Sequence, residues 1–318
     1  MTCHNCNVQC KKFGKHRNGL QRFRCRQCRK TLTEPQEKPL EGMYLPVEKA
    51  VSVLKLLLEG CSVRSTERIT GVHHTTILSL LVRAGKNCER LLEKRIHGLP
   101  VDDVQCDEIW GFVQKKEQNK WFREANRADI GDAYCFTAIE RNSKLLLAWH
   151  LGRRDRPSTD VFIGKLRNAT SDKWFQLSTD GFTPYVPAID YALIDRCDYA
   201  QVVKVYVAPR EGEQRYSPAD VVKAVPYPVM GNPDRNRICT SHVERQNLSI
   251  RMGMRRLTRL TNAFSKKWEN LRAAYGLWFA FYNFSRVHRS LRVTPAMEAG
   301  ITNHVWGIEE LIMEASRA

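Results

Sequence analysis

The sequence predicts an α/β chain: a mixed five-stranded sheet with flanking helices, preceded by a metal-knitted ribbon and a helical module. Three observations predict it. Two C-x2-C knuckles open the chain, and helical periodicity broken by glycines follows. From Val101 the texture turns to short β-rich runs interleaved with helical ones. A length of 318 residues is too much for one small core and suits several modules. A hydrophobic content of 42% is that of a folding chain, not a disordered tail.

Charge narrows the partner. A net charge of +17 favours a polyanion, nucleic acid before an anionic membrane surface. The excess is concentrated: residues 1–38 hold ten Lys/Arg against two Glu, and residues 245–272 hold eight against one. Two separated basic regions suggest two contacts with one long partner. The polar, basic start Met1-Thr2-Cys3-His4 does not read as a secretory signal. The longest apolar run, Ala273 to Tyr282, is far short of the roughly 20 residues that cross a bilayer. Eleven cysteines, four of them in metal-ligand spacing, read as a reducing cytoplasm without a disulfide framework. A membrane partner is not expected.

Residues 1–38 form the first module. Cys3, Cys6, Cys25 and Cys28 make two knuckles 18 residues apart, a spacing that suits one structural, tetrahedral Zn²⁺. Between them Lys11–Lys15 and Leu20–Arg24 look like a short basic hairpin, too small to fold without its metal. Cys10 is a spare. A proline-bearing linker over Glu34 to Leu45 leads into residues 39–98. There a helix over Val47 to Glu59 is stopped by Gly60, and a short helix over residues 62–71 is followed by a glycine turn. A third helix opens on His73, His74, Thr75 and Thr76 and runs on to Lys94. This is the order of a helix-turn-helix, with those four residues as the groove-facing candidates. The alternative for the two histidines is plain polar surface.

Residues 99–300 carry the sheet. Strands are predicted over Val104–Val113, Ala133–Ile139 and Leu145–Leu151, then a helix over Pro157–Asn168. A strand over Trp174–Ser178 running into Asp180, a helix through Tyr185 and Ile189, and a strand over Val202–Val207 complete the run. Three strands, then helix, strand, helix and strand is the order of the ribonuclease-H-like fold. Five prolines in residues 208–239 read as an irregular insertion, and Phe264 to Phe284 as an aromatic core helix. Residues 301–318 are read as a tail.

Asp107 lies within the first strand of the sheet and Asp180 at the end of the fourth. A helix is expected from Thr240 and Ser241, whose hydroxyls can cap it, with Glu244 in its first turn at the positive end of the dipole. Leu248, Arg251, Arg255 and Arg259 would continue down one side, and with Arg245 these guanidiniums suit backbone phosphates. Three carboxylates from three elements could hold two Mg²⁺ (or Mn²⁺) ions about 3.5–4 Å apart for in-line attack at phosphorus. Alternation along a strand sends Glu108 to the face opposite Asp107, so only one of them is expected to be a ligand. Asp102, Asp103, Asp190 and Asp195 are outside candidates. The bland alternative is that a strand-end Asp merely caps the next helix.

Taken together, the Cys-x2-Cys pair, the helix-turn-helix, Cys106-Asp107-Glu108-Ile109-Trp110, Ser178-Thr179-Asp180-Gly181 and His242-Val243-Glu244-Arg245-Gln246-Asn247 resemble a DDE transposase of the insertion-sequence-one type. Tyr282-Asn283-Phe284, His288, Leu291 and Thr294-Pro295-Ala296 are similar to the tail of many insertion-sequence transposases. The resemblance implies a ribonuclease-H-like catalytic domain and transposition of an element with terminal inverted repeats. Asp107, Asp180 and Glu244 match the family's acidic triad. Implied partners are double-stranded DNA, both element ends and target, and further copies of the chain, as a dimer or larger complex. Two departures stand out. Both halves lie in one reading frame, and 63 residues separate Asp180 from Glu244. The rival readings are a DNA-binding regulator with an inactive site, and a nuclease or resolvase on the same fold.

Overall fold

The computed structural model describes residues 1–16, 20–34, 40, 43–207, 220–258 and 261–318. It divides into two units, Met1–Gly42 and Met43–Ala318. In the first unit, β1 (Lys11–Lys15) and β2 (Gln21–Arg24) pair antiparallel as the expected hairpin. A third strand, β3 (Thr31–Thr33), adds to β2 and makes a three-stranded sheet. There is little apolar material here. The guanidiniums of Arg22 and Arg24 lie 5.3 and 5.0 Å from the centroid of the Phe13 ring, where cation–π attraction stands in for a core.

The second unit opens with α1 (Val47–Leu58), α2 (Val63–Thr70) and α3 (His74–Arg95). Ser62 caps α2 by accepting from the Ser65 N–H at 3.0 Å, and Gly71, at φ +68°, ends it in the left-handed region. The long α3 lies along α7 (Trp268–Phe284), and two glycines set the approach. A Cβ at Gly85 would fall 2.1 Å from the Ala273 carbonyl oxygen, and one at Gly276 would fall 2.6 Å from that of Gly85. The helical module is thereby packed into the same unit as the sheet. The C-terminal segment joins it too, since the helix Ile308–Arg317 packs on α1 and α3.

The main sheet comprises β4 (Asp103–Val113), β5 (Gly131–Glu140), β6 (Leu146–Gly152), β7 (Phe175–Asp180), β8 (Cys197–Val207) and β9 (Asp220–Met230). Its order is β6-β5-β4-β7-β8-β9. β4, β5 and β6 form an antiparallel meander, while β7 runs parallel to β4 and β8 parallel to β7. The parallel steps are made by crossover helices α4 (Arg156–Ala169) and α5 (Tyr185–Leu193). Asp155 caps α4 by accepting from the Ser158 N–H at 2.9 Å, with Pro157 in the first turn.

The sixth strand corrects the expected five. β9 comes from the stretch read as an irregular insertion and pairs antiparallel with β8. Prolines misled that reading, but Pro226 and Pro228 are two residues apart on an edge strand. Both missing N–H groups therefore fall on one edge, and the ladder to β8 survives. Residues 208–219 of that stretch lie outside the described residues.

The two faces of the sheet are filled by aromatics. On one, Trp149 meets Tyr275 and Phe279 of α7, and on the other Phe136 meets Phe162 and Tyr185. The Tyr282-Asn283-Phe284 motif has a structural task. Buried Asn283 accepts from the Leu146 N–H at 3.0 Å and donates to the Leu146 carbonyl at 2.9 Å, covering the free edge of β6 as a neighbouring strand would. α6 (Ser241–Gly253) precedes α7 in the chain, and α8 (Pro295–Glu298) and the C-terminal α9 (Ile308–Arg317) follow it. Among the described residues no helix is long and apolar enough to cross a membrane.

Candidate active site

The site begins where two strands part. Parallel pairing of β4 with β7 runs from Asp103–Gln176 to Gln105–Ser178 and then stops, while β7 stays paired with β8 as far as Asp180. Beyond Gln105 a gap opens at the centre of the sheet. Asp107, Glu108 and Asp180 border it, each offering an oxygen within 4.8 Å of the others.

The inclusion of Glu108 corrects the alternation argument. The two side chains do leave β4 on opposite faces. Asp107 accepts from Asn247 Nδ2 of α6 at 2.8 Å, whereas Glu108 accepts from Arg154 Nε at 3.1 Å on the α4–α5 side. With β7 no longer paired beside them, both carboxylates reach the same gap. Arg154 also lies 3.4 Å from Asp180, and its guanidinium sits 4.1 Å from the centroid of the Phe182 ring. Asp180 Oδ1 accepts from the Phe182 N–H at 3.0 Å, fixing the turn after β7.

Glu244 stands apart from this trio. Its Oε1 accepts from Lys204 Nζ of β8 and from the Thr240 hydroxyl. It lies one turn before Asn247, the residue that touches Asp107, so α6 presents both toward the gap. The expected hydroxyl cap of α6 is absent, because Thr240 is committed to Glu244. Buried Gln105 does the capping instead: its side-chain oxygen accepts from the N–H groups of His242 and Val243 at 3.0 and 3.3 Å. The residue two before Asp107 thus fixes the helix that carries Glu244.

Burial pushes the Asp107 carboxyl up to about 7, and the charges of Glu108 and Asp180 add to it. Burial likewise pushes Glu108 up to about 7, with Asp180 reinforcing the shift and Arg154 opposing it. Enclosed acids this close cannot all ionise cheaply without a cation among them. The donor set is all oxygen, and Glu108 Oε1 is buried with no hydrogen-bond partner. Such a set fits a hard divalent cation such as Mg²⁺ or Mn²⁺.

The predicted guanidinium ladder is cut short. α6 ends at Gly253, where a Cβ would fall 2.5 Å from Trp278 Nε1. Arg251 spends its guanidinium on the Trp110 and Leu257 carbonyls at 3.1 and 3.2 Å, a bond to the chain itself in place of phosphate. Arg255 lies beyond the helix in a short 3-10 turn, exposed like Arg245, and Arg259 lies outside the described residues. Among the outside candidates, Asp102 pairs with Lys173, Asp195 with Arg167, and fully buried Asp103 with Arg141 and Arg237. Asp190 is exposed on α5.

At the helical module, His73 and Thr75 are exposed at the start of α3 and His74 and Thr76 are half-buried. His73 is the N-cap of α3, and His74 Nδ1 lies 2.9 Å from both Glu67 Oε1 and Arg64 Nη1. In the N-terminal unit the sulfurs of Cys3, Cys6, Cys25 and Cys28 lie within 4.8 Å of one another, a set that could hold Zn²⁺. The Cys28 backbone N–H, 3.5 Å from Cys25 Sγ, leads the causes that lower the Cys25 thiol to about 6 and so favour the thiolate a metal requires. Cys10 is outside the set.

Sequence reasoning named Glu108 only as the rival of Asp107, and it missed Asn247, Gln105 and Arg154. Only Arg154 had a local signal, the basic run Arg153-Arg154-Asp155-Arg156 ahead of α4. No family model matches the chain, and no curated protein sequence matches it.

Proposed function

We propose that the chain is a transposase that binds the terminal inverted repeats of an insertion sequence and carries out metal-dependent DNA cleavage and strand transfer. The observation that carries this reading is the meeting of Asp107 and Asp180 where β4 and β7 part, beneath the helix start that presents Glu244. An antiparallel meander followed by two parallel strands reached through helices is the arrangement that a ribonuclease-H-like domain requires.

Asp107, Asp180 and Glu244 would hold two Mg²⁺ or Mn²⁺ ions, which when bound supply charge for activating a water or 3′-hydroxyl and for stabilising the leaving oxygen. The protein's own part is placement. Gln105 and Asn247 tie α6, the helix that carries Glu244, to β4, the strand that carries Asp107. Burial excludes water and strengthens every charge in the gap. The basic N-terminal unit and the exposed His73 and Thr75 supply contacts to the element ends, and exposed Arg245 and Arg255 contacts to backbone phosphate. Two ends must be paired, so assembly as a dimer or larger complex on DNA follows.

The test is a cleavage and strand-transfer assay on labelled DNA carrying the flanking inverted repeats, with Mg²⁺, comparing wild type with Glu244→Gln. Joined products from wild type, lost in the variant while DNA binding persists, are expected. Specific binding with no cleavage by either protein would leave a DNA-binding regulator and end the enzyme reading.

A further inference from the structure

We propose that Glu108 is a direct ligand of the divalent cation at this centre, and that Arg154 is the resident counter-cation which the metal displaces. The inference rests on the reading of the acidic gap as a metal-holding site and names a ligand outside the Asp107, Asp180 and Glu244 triad.

Three observations on Glu108 carry it. First, its side chain is only 3% exposed although it ends in a carboxylate. Second, that carboxylate is half satisfied. Oε2 accepts from Arg154, while Oε1 is sealed from solvent with no partner at ordinary hydrogen-bond distance, and the buried Tyr185 hydroxyl, itself without such a partner, is the neighbouring donor that acts on the carboxylate. Third, the carboxylate offers an oxygen within 4.8 Å of those of Asp107 and Asp180. A buried anion with a free lone pair among two other anions has the form of a ligand set awaiting its cation.

A plain structural ion pair with Arg154 explains less. It would account for Oε2 and leave Oε1 to the Tyr185 hydroxyl alone, beyond ordinary hydrogen-bond distance. It would also put a carboxylate on the aromatic face shared by Phe136, Phe162 and Tyr185, where an aliphatic residue would pack without desolvation cost. Arg154 is the half-exposed member of the pair at 40%, and it spans Glu108 and Asp180, 3.1 and 3.4 Å away. A guanidinium bridging two carboxylates from the solvent side occupies the charge position of a metal.

The experiment is Mn²⁺ binding to the full chain without DNA, followed by loss of the free-ion electron paramagnetic resonance signal. Wild type, Glu108→Gln, Arg154→Gln and Glu244→Gln are compared, and thermal melts in Mn²⁺-free buffer verify folding. Loss of a ligand in Glu108→Gln is expected to weaken Mn²⁺ by about tenfold or more, by analogy with lost metal-site partners. Arg154→Gln, which removes the competing cation, is expected to bind several-fold more tightly than wild type. Wild-type affinity in Glu108→Gln overturns the proposal. Should that variant fail to fold, Arg154→Gln decides, and unchanged or weaker binding there overturns it equally. The transposase reading stands or falls separately: Mn²⁺ bound through Glu108 without joined DNA products refutes the enzyme and leaves this ligand assignment intact.

Discussion

Replacing Asp107 by Asn is expected to stabilise the metal-free protein at alkaline pH while abolishing DNA joining. The Asp107 carboxyl is raised from 3.8 to about 7. The folded state therefore keeps its proton up to about 7, whereas the unfolded chain has released it by pH 5. The sign follows: native stability is highest below 3.8 and is lost as pH climbs from there to about 7. At about 1.36 kcal/mol per pH unit, the full interval corresponds to roughly 4 kcal/mol above pH 7. The carboxyl is enclosed, yet the residue as a whole keeps some solvent contact, so about half, roughly 2 kcal/mol, is the expected readout. Asn can take the place without adding to the unpartnered buried atoms. The Asn247 side-chain oxygen is buried and unpartnered, so a flip of that amide turns an acceptor toward the new donor. Thermal denaturation at pH 8 in buffer free of Mg²⁺ and Mn²⁺ should show a rise of about 4–8 °C. A chelator is omitted so that an ion held by the four cysteines would not be stripped. At pH 5 the gain should shrink to about a third. A variant that melts at or below wild type at pH 8, or one whose gain is the same at both pH values, would refute the account of Asp107 as a strained, enclosed acid.

Two further predictions concern the framework. Cys25→Ser, or removal of zinc, should unfold residues 1–42 while leaving the second unit's melting transition in place, since the first unit has almost no apolar core; nuclear magnetic resonance dispersion of the β1–β3 amides and one zinc per chain by elemental analysis check this. Gly85→Val should destabilise the second unit by about 3 kcal/mol or more, because its Cβ would meet backbone, not a yielding side chain, at Ala273; a denaturant midpoint equal to wild type would mean that α3 and α7 are not held as described.

What could be read from the sequence was whatever local chemistry dictates. The cysteine knuckles converge because thiols at that spacing have one economical arrangement, and Ser62 with Gly71 bracket α2 because capping and left-handed backbone are properties of single residues. The strands from Asp103 to Val207 announce themselves through β-branched and aromatic runs. β9 did not, because two prolines outweigh a strand pattern unless the strand is known to be an edge, and edge status is a property of the finished sheet. The arginine ladder failed for a similar reason. Gly253 ends α6 against Trp278, a residue of another helix, and the helical wheel holds only as far as the helix does.

The acidic site divides along the same line. Asp107, Asp180 and Glu244 are visible as acids at element ends or in a central strand, but the helix that carries Glu244 is tied to the strand that carries Asp107 by residues with no sequence signature. Gln105 looks like one more strand residue, and only in the fold does its side chain become the cap that α6 lacks. Alternation is right about which face Glu108 leaves from, since it meets Arg154 and Asp107 meets Asn247. It fails on what the side chain reaches, because the rule supposes a neighbour strand on either side, and the β4–β7 ladder stops at Gln105–Ser178. The end of that ladder converts two opposite-face acids into near neighbours. Where a central pair of parallel strands parts, acids that leave opposite faces of one strand just past the last pair can reach one cleft, as Asp107 and Glu108 do, and a search for ligands there must take both.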